Sequence, residues 1–171
     1  LLLDAGNFFQ GNPLGMADSG KTMIRWFDKM KYDAMVPGHY DFIFGAKAYL
    51  DAIESVNHAT VISSNLVFKE NTNIKPYIIK MVQGVRVAVL GISNSNLQGL
   101  LLSHYTADIE VEKEHPALLK WIPKIKEEGA DVIIVLTSSG VPYDREIRYE
   151  EFLQQTETKK SQSLTALELG Y

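Results

Sequence analysis

Short runs of small and polar residues follow three apolar segments, and each run contains side chains that could do chemistry. These runs are residues 4–12, 37–41 and 137–140, and they contain carboxylates, amides, hydroxyls and one imidazole. Such groups can bind metal ions or transfer protons. If the apolar segments are strands of a layered sheet structure, the loops at their carboxyl ends meet at one edge. We therefore expect the three runs to form a common site.

A second candidate site is a phosphate-binding P-loop. Residues 15–22 read Gly-Met-Ala-Asp-Ser-Gly-Lys-Thr, a pattern in which amides near Gly20 would surround phosphates, Lys21 would neutralise them and Thr22 would bind magnesium. A P-loop follows its strand directly, whereas the apolar run here ends at Leu3. The context favours a loop and helix cap with a coincidental match. A P-loop nucleotide binder stays open as an alternative.

Composition narrows the chemistry further. The 171 residues are 46% hydrophobic with a formal net charge of −4, so the chain can bury a core. It contains no cysteine, which excludes disulfides, thiol nucleophiles and iron–sulfur sites. Basic residues are scattered among acidic ones, which argues against binding to a nucleic-acid duplex. No apolar run has the length of a membrane span. Only four histidines are available as metal ligands.

Alternating apolar runs and helical patterns would position these loops. The order is β-α-β-α-β, then a hairpin that turns at Gln83 and Gly84, then α-β, which indicates a layered α/β domain with mixed sheets. The last strand is wholly apolar, so we expect it to be buried on both faces. The strands are predicted at residues 1–4, 34–36, 60–63, 77–82, 85–92 and 131–136, and the helices after an N-cap at Ser19, at 46–56 and at 116–128.

The two ends of the sequence bear on domain organisation. We expect residues 1–171 to belong to one domain, with upstream material missing, because the chain opens on an apolar run without a signal peptide. Residues 148–163 are polar and fit a surface helix, a linker or a discontinuity between segments. The alternating run 164–169 predicts one more strand.

Two blocks of the sequence match the motifs of a known family. Residues 2–14 read Leu-Leu-Asp-Ala-Gly-Asn-Phe-Phe-Gln-Gly-Asn-Pro-Leu, and residues 32–45 read Tyr-Asp-Ala-Met-Val-Pro-Gly-His-Tyr-Asp-Phe-Ile-Phe-Gly. They resemble the calcineurin-like metallophosphoesterases, and most of all the bacterial 5'-nucleotidases. Further similar segments are residues 64–66, 75–77, 84–91 and 131–140, and the order and spacing agree as far as about residue 144.

The resemblance implies a layered α-β-β-α fold and a hydrolase that holds two divalent ions of the Mn, Zn or Fe class. A metal-bound hydroxide would attack a phosphate ester such as a nucleotide. The resemblance also implies a periplasmic or extracellular location and a C-terminal substrate domain outside this chain. The family's opening Asp-x-His and closing Gly-His-x-His motifs are not found. We therefore expect the domain to be incomplete here, without its first strand and closing histidine motif.

Carried over by position, the resemblance implies metal ligands at Asn7, His39 and Ser138 and catalytic roles for Tyr40 and Asp41. In the family, a bridging aspartate stands at the position of Asn7, an asparagine at that of His39 and a histidine at that of Ser138. A histidine stands at the position of Tyr40, and its carboxylate partner at that of Asp41. An amide lacks the bridging charge, and a hydroxyl is a poor ligand compared with imidazole. A phenol with a pKa near 10 is a weaker acid than histidine at neutral pH.

One of these changes has a parallel in a related branch. The thiosulfohydrolases of bacterial sulfur oxidation have Gly-His-Trp-Glu-Phe in the second block, which is similar to residues 38–42. His39 is therefore a candidate ligand, with a hydrogen-bonded loop histidine as the alternative. Three functions remain open: a metal-dependent phosphoesterase of the nucleotidase type, a degenerate binding or structural module of the same fold that holds no metal, and the P-loop nucleotide binder. Whether the chain is an enzyme stays uncertain at this stage.

Overall fold

The computed structural model describes residues 1–9 and 13–140, and residues 1–138 form one compact unit. The predictions for residues 148–163 and 164–169 lie outside the described residues. The elements are, in chain order, β1 Leu3–Asp4, α1 Pro13–Ala17, α2 Lys21–Lys29, β2 Ala34–Met35, a 3₁₀ turn His39–Phe42, α3 Ala46–Ile53, β3 Thr60–Val61, β4 Leu66–Phe68, β5 Tyr77–Val82, β6 Val85–Ile92, α4 Leu97–Leu100, α5 Ser103–Thr106, β7 Ile109–Val111, α6 Glu114–Glu127 and β8 Val132–Thr137.

The strands form two three-stranded sheets and one two-stranded pair. The first sheet is parallel, in the order β1-β2-β3. The second has the order β5-β6-β8, with β5 antiparallel and β8 parallel to β6, and β4 pairs with β7 in the antiparallel sense. The expected α/β class with mixed sheets is confirmed. No helix in the described part of the chain is long and apolar enough to cross a membrane.

The two larger sheets pack face to face. Ala34, Val36, Ile62 and Val89 are buried between them. Gly91 on β6 marks their closest approach, because a Cβ atom there would overlap the carbonyl oxygen of Ile62. Only glycine lets the two backbones come so close.

A second, aromatic core lies between the first sheet and helices α2 and α3. Phe9, Phe27, Phe42 and Tyr49 are all buried there, and their rings pack at angles to one another. Helix α2 turns Ile24 and Phe27 into this core. The core therefore anchors the segment that follows β1 and the 3₁₀ turn that follows β2, which are two of the three polar runs.

Several predicted details differ from the structure. Strand β8 begins with the exposed Val132 and is otherwise half-buried, because among the described strands it has a neighbour on one side only, β6. The expectation of burial on both faces is wrong for these residues. The N-cap of α2 is Gly20, with a φ of 86°, rather than Ser19. Helix α6 begins at Glu114, two residues before the predicted start, and continues through Pro123 as predicted.

Candidate functional site

The three polar runs meet at one end of the two sheets, as expected from the sequence. The backbone N–H of Tyr40 donates to Oδ1 of Asn7 at 2.9 Å, which joins the segment after β1 to the 3₁₀ turn. The hydroxyl of Ser138 donates to the carbonyl oxygen of Pro37 at 3.1 Å, which joins the end of β8 to the same turn. The segment after β2 is therefore the centre of the cluster.

Asp41 holds two of these segments together. Its side chain is 1% exposed. One carboxylate oxygen accepts the N–H groups of Asn7 and Gly38 at 2.9 and 2.8 Å, and the other accepts the N–H of Phe8 at 3.0 Å. Burial raises the pKa of the Asp41 carboxyl to about 7, although the backbone donors act to lower it. The carboxylate is directed at backbone amides, and its predicted catalytic role stays a prediction.

Asn7 is held in a strained and crowded position. Its φ of 64° is in the left-handed region, which asparagine tolerates better than most residues. A Cβ atom at Gly38 would overlap the Asn7 side chain, so the close approach depends on glycine at that position. Because Oδ1 of Asn7 accepts the Tyr40 N–H, the amide acts here as a brace between the loops.

Ser138 takes part in a buried hydrogen-bond network. Besides donating to Pro37, its hydroxyl accepts the N–H of Asn94 at 3.1 Å, and the residue is 7% exposed. The hydroxyl of Ser93 donates to the same Pro37 carbonyl at 3.0 Å. Two strand ends, those of β6 and β8, are thus tied to one carbonyl group of the loop after β2.

Asn65 is, after Ser93, a second residue of this network that sequence reasoning did not place in the site. Its side chain is fully buried, accepts the N–H of Ser93 at 2.8 Å and donates to the carbonyls of Ser93 and Glu112 at 2.7 and 3.0 Å. The signal available in the sequence was a polar Ser-Ser-Asn run directly after the β3 segment. Because this run matches no catalytic pattern by itself, it did not mark Asn65 as part of the site.

His39 is the one predicted ligand whose donor atom is unused. Its Nδ1 is buried and has no hydrogen-bond partner within the described ranges. Its ring centroid lies 4.0 Å from that of Tyr40. Burial lowers the pKa of His39 below its ordinary value, so the imidazole is neutral at pH 7 and can act as a ligand.

The described residues do not fit a pair of divalent metal ions. No group of three or more His, Asp or Glu side chains that could hold a metal occurs within residues 1–9 and 13–140. Of the three predicted ligands, Asn7 and Ser138 use their oxygens in hydrogen bonds to backbone groups. One neutral imidazole is left, and it is not enough for a bridged two-metal centre.

The structure around residues 15–22 differs from the usual context of a P-loop, and phosphate binding there stays a prediction. Residues 15–22 run from helix α1 through a turn into helix α2, with no strand leading into them. The Asp18 carboxylate accepts the N–H and the hydroxyl of Thr22 at 2.9 and 2.7 Å. A negative side chain therefore occupies the amide end of α2, where a P-loop would hold a phosphate. The predicted phosphate binding by Gly20, Lys21 and Thr22 would therefore require displacement of the Asp18 carboxylate from Thr22.

Comparisons with known proteins agree with the fold and with the motif blocks. No family model matches the chain. The trifunctional nucleotide phosphoesterase protein YfkN of Bacillus subtilis is 28% identical over 163 residues, and a snake venom 5'-nucleotidase of Crotalus adamanteus is 28% identical over 153 residues. These alignments cover 82% and 86% of this chain but 11% and 26% of the relatives. The chain thus spans about a quarter or less of these proteins.

A solved structure supports the same assignment. The calcineurin-like phosphoesterase YfkN from Bacillus subtilis superposes with a TM-score of 0.66 at 26% identity, over 80% of this chain and 47% of that one. The resemblance to the calcineurin-like metallophosphoesterase superfamily, and to its 5'-nucleotidase branch, is confirmed.

Proposed function

We propose that this chain is a phosphoesterase-like domain of the 5'-nucleotidase kind that serves as a binding or structural module without hydrolysing phosphate esters. The observation that supports this most is the hydrogen bonding of Asn7 and Ser138, whose side-chain oxygens are both engaged with the backbone. A two-metal hydrolase needs charged or imidazole ligands that face the metal ions. At these two positions the chain has a neutral amide and a hydroxyl.

The hydrogen bonds replace the cross-linking that metal ions would provide. Asp41 joins the segments after β1 and β2, and Ser93 and Ser138 join the ends of β6 and β8 to Pro37. Because these contacts satisfy buried polar groups, they stabilise the loop cluster without a cation. We therefore expect the loop cluster to keep its structure without a bound metal ion.

For the ligand class we propose a small phosphorylated compound such as a nucleotide. The support is the activity of the relatives, two of which are a nucleotide phosphoesterase and a 5'-nucleotidase. A location outside the cytoplasm is proposed on the same grounds, since one of these relatives is a venom protein.

Metal-dependent hydrolysis is the second candidate, and His39 is the observation that favours it. Its buried Nδ1 lacks a hydrogen-bond partner among the residues described, as expected of an atom that coordinates a metal ion. A single imidazole would require further ligands from outside the described residues. This alternative therefore predicts that metal binding, if measured, depends on His39.

Metal analysis combined with a hydrolysis assay tests the proposal. The purified chain is dialysed against Mn²⁺, analysed for bound metal and assayed with AMP and p-nitrophenyl phosphate. We expect well under one equivalent of bound Mn²⁺ and no turnover above the rate in buffer. About two equivalents with turnover would overturn the proposal.

A matched pair of variants identifies the source of any metal that binds. His39→Ala removes the candidate ligand. The control, His104→Ala, removes an exposed histidine whose ring centroid lies 3.9 Å from that of Tyr105, similar to the 4.0 Å between His39 and Tyr40. We expect neither variant to change the low metal content. Metal binding lost in His39→Ala and kept in His104→Ala would support the metal-dependent alternative instead.

A further inference from the structure

The exposed side of helix α2 carries a row of positive charges. Lys21, Arg25 and Lys29 are spaced four residues apart, so they lie in one line along the helix, and all three are exposed. The opposite side of the helix holds Ile24 and Phe27, which are 0% and 4% exposed. Because this apolar side anchors the helix to the core, the charged row points away from the core of the described residues.

Helix stability does not explain the row. Like charges four residues apart destabilise a helix, and the helix dipole disfavours Lys21 in the first turn while it favours Lys29 in the last turn. The first turn contains no acidic residue. In the described part of the chain, no ion pair joins Lys21, Arg25 or Lys29 to a carboxylate. The stability of the helix therefore does not require three basic residues in one row.

The charge around α2 is opposite in sign to that of the whole chain. Residues 18–31 contain four basic side chains and two carboxylates, a net charge of +2, whereas the chain carries −4. Both carboxylates are occupied: Asp18 accepts hydrogen bonds from Thr22, and Asp28 accepts the backbone N–H groups of residues 57–59. The basic side chains thus form a local positive surface on an acidic protein.

An apolar edge runs beside the charged row. Trp26 and Met30 are neighbours on the helix surface, four residues apart, and are 45% and 50% exposed. The Trp26 ring is oriented by edge contact with Phe27 at 5.3 Å between centroids and by Tyr32 at 6.0 Å. An aromatic ring is thereby held at the surface next to three cations.

We propose that this face of α2 docks the protein onto a membrane surface that contains anionic phospholipids. The charged row contacts the lipid phosphates, and Trp26 and Met30 enter the interfacial region. A basic helix face with tryptophan at its edge is the arrangement of helices that lie on anionic bilayers. The row and the apolar edge occupy one convex helix surface about 13 Å long, which a flat bilayer can meet without a matching pocket.

Vesicle binding tests the proposal. The full chain is mixed at low salt with vesicles of equal parts phosphatidylglycerol and phosphatidylcholine, or of phosphatidylcholine alone, and the bound fraction is measured by flotation. We expect binding to the anionic vesicles at least about tenfold stronger than to the neutral ones, with a loss as salt screens the charges. Absence of binding to the anionic vesicles at low salt would overturn the proposal.

Charge-reversal variants test whether the basic face of α2 is the surface that binds the vesicles. Arg25→Glu with Lys29→Glu should weaken binding at least about tenfold, and Trp26→Ala should weaken it several-fold. The matched control reverses Lys120 and Lys124, two exposed lysines four residues apart that lie 5.2 and 4.6 Å from the Trp121 ring. It changes the net charge equally and should keep binding within about threefold. Circular dichroism checks that each variant is folded.

Two further outcomes would contradict the proposal. Equal loss of binding in the two double variants would mean that overall charge, rather than α2, determines binding. If the chain bound a polyglutamate peptide in an Arg25- and Lys29-dependent way but no vesicles, the surface would belong to an acidic protein partner.

Discussion

At the scale of single residues, Asp41 is the strongest structural contributor to the candidate site. It is nine-tenths or more buried and accepts three backbone N–H groups from two different loops. Hydrogen bonds to a charged acceptor are stronger than those to a neutral one. If the carboxylate were removed, the N–H groups would be desolvated without an acceptor, which is unfavourable. The residue therefore determines the shape of the loop cluster, whatever chemistry the cluster performs.

Replacing Asp41 with alanine should destabilise the protein strongly. We expect Asp41→Ala to lower the free energy of unfolding by about 2–4 kcal/mol, because one buried and two half-buried backbone donors lose their acceptor. Urea denaturation followed by circular dichroism measures the change. Asp51→Ala is the control, since Asp51 is in a surface ion pair with Lys47 and should cost under about 0.5 kcal/mol. Similar losses in the two variants would refute the role given to Asp41.

At the scale of secondary-structure elements, the predicted hairpin illustrates what sequence alone can supply. Gln83 and Gly84 both have positive φ values, 49° and 87°, and join β5 to β6 as the turn chemistry predicts. The half-burial of β8 could not be predicted, because an apolar run does not say which strands lie beside it. The same limit applies to Ser138 and Asn65, whose partners come from other parts of the chain.

Gly91 shows the same dependence on packing between elements. A methyl group there would overlap the Ile62 carbonyl oxygen of the facing sheet, and neither backbone can move freely. We expect Gly91→Ala to lower the free energy of unfolding by about 1–3 kcal/mol. Val85→Ala on the same strand, where the side chain is 40% exposed, should cost much less. Equal stability of Gly91→Ala and the unmodified protein would show that the sheets are not in close contact.

Asp33 links the two sheets electrostatically. One carboxylate oxygen accepts Nζ of Lys80 on β5 at 2.6 Å, and the other accepts the N–H of Leu2 at 2.8 Å. Burial acts to raise the pKa of Asp33, but the hydrogen bonds from Lys80 and Leu2 outweigh it, so the pKa lies below its ordinary value. A carboxyl with a lowered folded-state pKa stabilises the protein above its unfolded-state pKa and loses that effect as pH falls.

The pH dependence of stability should therefore change when this pair is removed. We expect Asp33→Asn to be less stable than the unmodified protein near pH 7. The difference should begin to shrink below about pH 4, where Asp33 of the unfolded chain takes up a proton, and should shrink further as pH approaches the lower folded-state pKa. Thermal unfolding between pH 3 and pH 7 measures it. A difference that stays constant over this interval would mean that the ion pair contributes nothing.

At the scale of the whole molecule, hydrogen bonds connect the loops that follow the strands of both sheets. Among residues 1–9 and 13–140, no group of three or more metal-binding side chains lies beside them. The Pro37 carbonyl accepts hydroxyls that follow β6 and β8, and Asn65 connects the segments after β3, β6 and β7. In a metalloprotein the cation would connect such loops, and its binding free energy would add to the stability of the folded state. In this domain, side chains and backbone supply the connections.

Metal removal and addition should consequently leave thermal stability unchanged. We expect the unfolding midpoint in excess EDTA and in millimolar Mn²⁺ to agree within about 1 °C, whereas a ligand at 100 times its dissociation constant would stabilise by about 2.7 kcal/mol, or several degrees. Differential scanning calorimetry gives the midpoints, with His39→Ala as the control. A rise of several degrees with Mn²⁺ that disappears in His39→Ala would mean that the folded domain binds the metal through His39, and that the hydrogen-bonded loops coexist with a metal site.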